Sequence, residues 1–303
     1  SRSLFSARSL RKANSFGVKY LLLMTQTYPL RLTDDRGSSS DGAIAIPAYA
    51  PPMALFRKRP DRIRGISGSL DGKTVLVVDG TGGAGPGVVR VAAEAGASTI
   101  LAGPDHVAID LQLRSLTHTP EQTIAVVSAA DSTREHGRLL EAAERFPDVI
   151  VVNPIPLSLE TDPRDPHQPA GHLGPIEAVA LARLATVGMQ DRGLTGSVVF
   201  LSEIARSGPS AAAAAYLHSE MRQLAGQVAA NGIRVNAVAA GQVAVNRRDN
   251  VVSSRVAPLG HSSLHPVEIG KAVWFLSNDD LSGGITGTVL TVDRGASLVL
   301  PEW

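Results

Sequence analysis

The chain has 303 residues, 44% of them hydrophobic and 19% charged, and contains no cysteine. That length suits one large α/β domain or two small ones. It carries no 18-residue apolar run, so a transmembrane helix is excluded; the missing thiols exclude disulfides, thiolate–metal centres and a cysteine nucleophile, and 4% aromatic content argues against a stacking platform for nucleic acid. The net charge of +1 is unevenly spread: residues 1–69 hold twelve Lys/Arg against four Asp/Glu, and the remainder seventeen against twenty-four. This split predicts a basic N-terminal arm or linker over residues 1–69, ahead of a mildly acidic domain over residues 70–303.

Residues 1–33 contain six basic side chains and no acid, with serines at Ser1, Ser3, Ser6, Ser9 and Ser15. An Arg- and Ser-rich, acid-poor start of this kind is similar to an organelle transit peptide, which would place the protein in an organelle matrix; otherwise a soluble, cytoplasmic protein is expected. Two other readings stay open: translation upstream of a natural start at Met24, and an ordered arm that docks on a partner. The apolar stretch 20–24 is too short for a secretory signal. Residues 34–52 read as a linker, with Gly37, Gly42 and Ser38 to Ser40 flexible and Pro47, Pro51 and Pro52 extended. The basic run Arg57, Lys58, Arg59, Arg62 and Arg64 is either a solvated surface or a contact for an acidic partner.

The domain opens at residues 73–78 (KTVLVV), a β-branched run of the kind buried on both faces of a sheet. A glycine-rich turn follows from Gly80 to Gly87, then a helix over 88–94. Further strands are predicted at 98–102, 123–127, 149–152, 197–201, 234–238 and 289–292, with helices at 135–145, 176–189, 211–230 and 266–276. Strands alternating with helices imply a parallel sheet covered on both faces, and a glycine-rich first turn points to a doubly wound, mostly parallel Rossmann sheet of about seven strands.

Three stretches carry a more specific likeness: residues 70–97 (LDGKTVLVVDGTGGAGPGVVRVAAEAGA), 232–241 (GIRVNAVAAG) and 286–297 (TGTVLTVDRGAS). Together they resemble the short-chain dehydrogenase/reductase (SDR) family, in particular its 3-oxoacyl-carrier-protein-reductase-like members. The resemblance covers about residues 70–300. It implies NAD or NADP as cofactor, hydride transfer between that cofactor and a carbonyl or alcohol, and a dimer or tetramer.

The first turn admits two registers. Gly80, Gly82 and Gly85, with Gly83 between them, fit a GxGxxG phosphate turn directly after a strand and before a helix. Aligned on the family without gaps, Gly83 and Gly85 fill its second and third glycine positions and Asp79 replaces the first, where a carboxylate would repel phosphate. The end of the second strand offers no Arg or Lys for an NADP phosphate, so NAD is slightly favoured; Asp105 lies there, late for a ribose contact. By resemblance, Asp131 is the adenine-binding acid, and as an exposed residue at a helix start it is equally a cap. Asn153 is what survives of the family's N-N-A-G motif.

The family's catalytic set is Asn, Ser, Tyr and Lys, the Lys lowering the Tyr pKa so that the phenol shuttles protons. Here the Asn position falls on Gly171. Ser202 takes the first position of the family's Ser-Ser pair, and Glu203 the second, catalytic one. Tyr216 stands near the family spacing from Ser202, but Glu220 occupies the Lys position four residues on. The ungapped register back from Gly232 puts Ser210 at the Tyr and Ala214 at the Lys instead. Beyond Gly241, Val245 replaces a carboxamide-binding Thr, and Arg247, Arg248 and Arg255 lie in the following lid, either as contacts for anionic substrate tails or as solvated charges. The scattered histidines imply no metal site.

These departures predict an SDR-like subunit without catalysis, a scaffold or regulatory partner in a homo- or hetero-oligomer, with an active SDR subunit as one candidate partner. Two alternatives remain: an active NAD(P)-dependent oxidoreductase using Tyr216 and Ser202, and a dinucleotide-sensing module. Neither a nucleic-acid partner nor a membrane span is expected.

Overall fold

The computed structural model describes residues 65–66, 69–116, 123–127, 133–142, 145–154, 173–205, 207–243, 256–261 and 263–299, and the backbone of residues 19–22. In chain order the elements are β1 (Lys19–Leu22), β2 (Thr74–Val78), α1 (Gly85–Glu94), β3 (Ser98–Gly103), α2 (His106–Ser115), β4 (Thr123–Val127), α3 (Thr133–Leu140), β5 (Val149–Val152), α4 (Pro175–Asp191), β6 (Gly196–Glu203), α5 (Gly208–Val228), β7 (Ile233–Ala240), the hairpin β8 (Val256–Ala257) and β9 (Gly260–His261), α6 (Pro266–Ser277), α7 (Asp279–Ser282) and β10 (Val289–Val292).

The large sheet is parallel throughout, in the order β1-β4-β3-β2-β5-β6-β7-β10. The chain winds outward from β2 through β3 to β4, then returns to add β5 on the other side. The order reverses between β2 and β5; doubly wound folds take their ligands outside the carboxyl ends of the strands near such a switch point. The seven predicted strands are all present. An eighth, β1, comes from the segment read as an arm and pairs Lys19 to Leu22 with Ile124 to Val127. It caps backbone groups that β4 would otherwise present as a bare edge.

Period-2 alternation divides the core. Val75 and Val77 pack on one face with Val88, Leu101, Ile109 and Val273, while Leu76 and Val78 pack on the other with Ile150, Leu181 and Met221. Among the described residues the first cluster includes Ile66 and Leu70. Helix α2 has no counterpart among the predicted elements. Its signals are local: the Asp105 carboxylate caps it by accepting from the N–H groups of Val107 (2.8 Å) and Ala108 (3.3 Å), and Ile109, Leu113 and Leu116 are buried at helical spacing. Helix α3 ends at Leu140 rather than 145.

The stretches that carry the family likeness are occupied structurally. The buried Arg234 guanidinium donates to Leu276 O (2.6 Å) and to the Asp279 carboxylate (2.8 Å), tying β7 to α6 and α7. The Asn236 side chain donates to Ile285 O (2.9 Å) and accepts from Thr288 N (3.0 Å), while Thr286 Oγ1 accepts from Val235 N (3.0 Å). These bonds fix β10 against β7.

Candidate functional site

The glycine-rich turn leaves β2 through Asp79, whose φ of 55° lies in the left-handed region. Asp tolerates that conformation better than most residues, and Gly tolerates it best. The second left-handed residue of the turn is Gly83, at 52°. At Gly85 an added Cβ would lie 2.6 Å from the Gly80 backbone. Positions 79, 83 and 85 are the glycine positions of the ungapped register, while at Gly80, the first glycine of the other register, an added Cβ would also lie 2.6 Å from Leu101 Cδ1. Asp79 fills the first of them without facing a ligand: it is 1% exposed, and its Oδ2 accepts from Leu173 N at 2.6 Å. That bond directs the carboxylate toward the Leu173 amide.

Asn153 holds the turn from the neighbouring strand end. Its Nδ2 donates to Asp79 O (2.7 Å) and Gly82 O (3.1 Å), and its own N–H donates to Val78 O (3.2 Å). Truncation strands two carbonyls of the turn, so Asn153→Ala is expected to destabilise the domain by about 2 kcal/mol, read as a lower urea midpoint at an unchanged slope.

Beside the turn lies a cavity of about 410 Å³ at the carboxyl ends of β6 and β7. Gly83, Ala84 and Asn153 line one side, Ser202, Glu203 and Ile204 another, and the end of β7 with Gly241, Gln242 and Val243 a third. Helix α5 closes it with Ser210, Ala213, Ala214 and Leu217, one face at helical spacing. The positions that the ungapped register equates with the family's Tyr and Lys thus face the cavity as Ser210 and Ala214. Tyr216, the phenol predicted from its distance to Ser202, does not line it and is 38% exposed. It lies about 100° around the helix from Leu217, off the cavity face. Glu220 bonds Arg183 of α4 at 2.7 Å, where it braces two helices.

Ser202 does line the cavity, and its Oγ lies 2.8 Å from His218 Nε2. Nothing in the sequence singles out His218: the pairing depends on how α5 folds back on β6, and no local motif announces it. Partial burial of the Glu203 carboxyl raises its pKa above the ordinary carboxylate value. Asp105, considered for the ribose, caps α2 instead. Asp131, Gly171, Val245, Arg247, Arg248 and Arg255 lie outside the described residues. Among the described residues no helix is long and apolar enough to cross a membrane.

The strand order, with helices on both faces of a parallel sheet, defines a doubly wound, Rossmann-type domain. A family profile described as enoyl-(acyl carrier protein) reductase matches residues 175–297. The NADH-type enoyl-[acyl-carrier-protein] reductase FabI of Nostoc sp. is 33% identical over 118 residues, which are 34% of this chain and 45% of that protein. The chain therefore spans less than half the length of this curated relative. Among solved structures, a short-chain type dehydrogenase/reductase from Mycobacterium marinum superposes with a TM-score of 0.65 at 20% identity, covering 76% of this chain and 97% of that one. A Caenorhabditis elegans short-chain dehydrogenase/reductase of unknown function, solved with cofactor, gives 0.62 at 22% identity, covering 77% and 98%. The chain is thus similar to acyl-carrier-protein reductases over residues 175–297, and it shares the fold of solved short-chain dehydrogenases/reductases over about three quarters of its length.

Proposed function

We propose that this chain is a non-reducing SDR subunit that retains a dinucleotide cradle and acts as a scaffold or regulatory partner in a homo- or hetero-oligomer. One observation carries the reading. The cavity face of α5 presents Ser210 and Ala214, whereas Tyr216 points elsewhere. Among the described residues that line the cavity there is no phenol beside an ammonium, the pair that the family's proton transfer uses. The Tyr216-based reductase is the weaker reading for the same reason.

The turn fits an anionic group. Ideal Cβ atoms at Gly82 and Gly83 would meet nothing within 4 Å, so there is open space beside the start of α1. The N–H groups of Gly85 and Gly87 already donate to Gly82 O and Ala84 O, and Pro86 has none, so the backbone of Gly82 and Gly83, with the positive end of the α1 dipole behind it, would face the pyrophosphate. With no Arg or Lys at the end of β3, NAD is favoured over NADP. Such a cofactor, when bound, supplies a hydride; this chain's residues would bind and orient it.

Two measurements test the proposal. Native purification followed by mass measurement and nucleotide analysis is expected to find an oligomer, and a monomer without nucleotide would defeat the proposal. Calorimetry with NAD(H) and NADP(H) is expected to show binding that Gly82→Ala weakens about tenfold, a loss of about 1.4 kcal/mol. Folding stability should stay within about 0.5 kcal/mol, as for a surface change.

A further inference from the structure

At the end of β6 a primary hydroxyl and an imidazole meet at the edge of a cavity that the family's own chemistry leaves without its proton donor. Ser202 Oγ and His218 Nε2 are 2.8 Å apart, within the range of a nucleophile and its base. Ser202 sits at the carboxyl end of a central parallel strand, the end where doubly wound folds present reacting groups. The wall around it is mostly apolar, including Pro154, Pro175, Leu201, Ile204, Leu217 and Val243, and about 410 Å³ accommodates a short acyl chain. We propose that Ser202 and His218 form a nucleophile–base dyad that transfers acyl groups from small apolar esters or thioesters to water. This goes beyond the subunit role above and does not require a bound dinucleotide.

The step balances without an oxidant or reductant. Ser202 Oγ forms a bond to the acyl carbon while its proton passes to His218 Nε2. The bond to the alcohol or thiol then breaks, and the leaving group takes that proton. Water attacks the acyl-Ser202 ester, again giving a proton to His218; the Oγ–acyl bond breaks, Oγ recovers the proton and the carboxylic acid departs. A base in this role must be neutral. Burial, with the nearby positive charge of Arg222, lowers the His218 pKa below its ordinary value and favours the neutral ring; the tautomer that carries its proton on Nδ1 is the one whose Nε2 accepts from Ser202.

The test is covalent labelling of the purified full chain with a fluorophosphonate, located by intact mass and peptide mapping, together with hydrolysis of 4-nitrophenyl butyrate. A single adduct on Ser202 is expected, absent in Ser202→Ala. Labelling and hydrolysis should fall on the order of 100-fold in His218→Ala, the scale of general-base assistance, while Tyr216→Phe labels like the parent. Thermal melts of each variant separate lost chemistry from lost folding, and the wild-type adduct needs no variant at all. No adduct at Ser202, or labelling that is unchanged in a folded His218→Ala protein, overturns the dyad and leaves the hydrogen bond as a strut between β6 and α5. Dinucleotide calorimetry on the same preparation reports separately: an adduct without nucleotide binding supports the dyad and defeats the cradle, and binding without an adduct does the reverse.

Discussion

Gly87→Ala is expected to lower the unfolding free energy of the domain by about 3 kcal/mol, the upper range for forcing extra volume into a packed contact. Helix α1 and helix α6 cross so closely that a Cβ on Gly87 would overlap the Pro266 carbonyl and lie 2.6 Å from Val267 N. Backbone cannot rotate away as a side chain can, so the helices must separate. The first core cluster loosens with them, because Val88 and Val91 of α1 and Ile269 and Val273 of α6 belong to it. Gly270 forms the other half of the same contact, since a Cβ added there would overlap Gly87 O. Gly270→Ala should therefore cost a similar amount. The double variant should cost less than the sum, because the second methyl enters a gap that the first has opened. Urea unfolding measures all three. A Gly87→Ala protein within about 0.5 kcal/mol of the parent, the range of an ordinary surface change, would mean that the two helices do not approach this closely.

That contact illustrates which parts of the fold the sequence reveals. Strands β2, β5 and β7 are uninterrupted buried runs, and hydrophobicity announces them directly. Gly87 and Gly270 are small for a reason that exists only after two distant helices have docked. Helix α2 carries adequate local signals, an acidic cap and helical apolar spacing, but an acid just after β3 invites comparison with a ribose contact, even though it stands late for one, and that comparison hides the cap. Strand β1 is four residues inside a basic, serine-rich segment, and only the open edge of β4 gives those residues a partner.

The site divides in the same way. The glycine turn is visible in the sequence, but the left-handed φ at Asp79 and Gly83 is legible only in the backbone, and the crowding at Gly80 and Gly85 only once strand and helix have packed. The rotation of α5 decides between Tyr216 and Ser210 as the residue facing the cavity. A count of residues from Ser202 favours the first, but the ungapped alignment back from Gly232 favours the second, as does the face occupied by Ala213, Ala214 and Leu217. The motifs that make the family recognisable, Arg234 to Asn236 and Thr286 to Thr288, are bonded to one another. They preserve the sheet edge irrespective of chemistry, so a strong family likeness and an altered cavity coexist.

Restoring the missing groups gives the second large effect. A variant combining Glu203→Ser, Ser210→Tyr and Ala214→Lys is expected to reduce small ketones or 3-oxoacyl thioesters with NADH at least about 100-fold faster than the parent, the lower range for positioned acid–base catalysis. All three positions line one cavity, and 210 and 214 lie one turn apart on the same face of α5. A Lys at 214 would therefore stand beside a Tyr at 210 and lower its pKa from about 10 toward neutrality, while removing Glu203 takes away a carboxylate that opposes the shift. The double variant lacking Ala214→Lys should gain little, because an unassisted phenol holds its proton at neutral pH. Steady-state NADH oxidation distinguishes the possibilities. A parent protein that already turns over, and that loses its activity in Tyr216→Phe, would refute the non-reducing reading. A triple variant that binds NADH yet remains silent would place the hydride donor away from this face of α5, since binding would be intact and only the geometry of transfer would have failed.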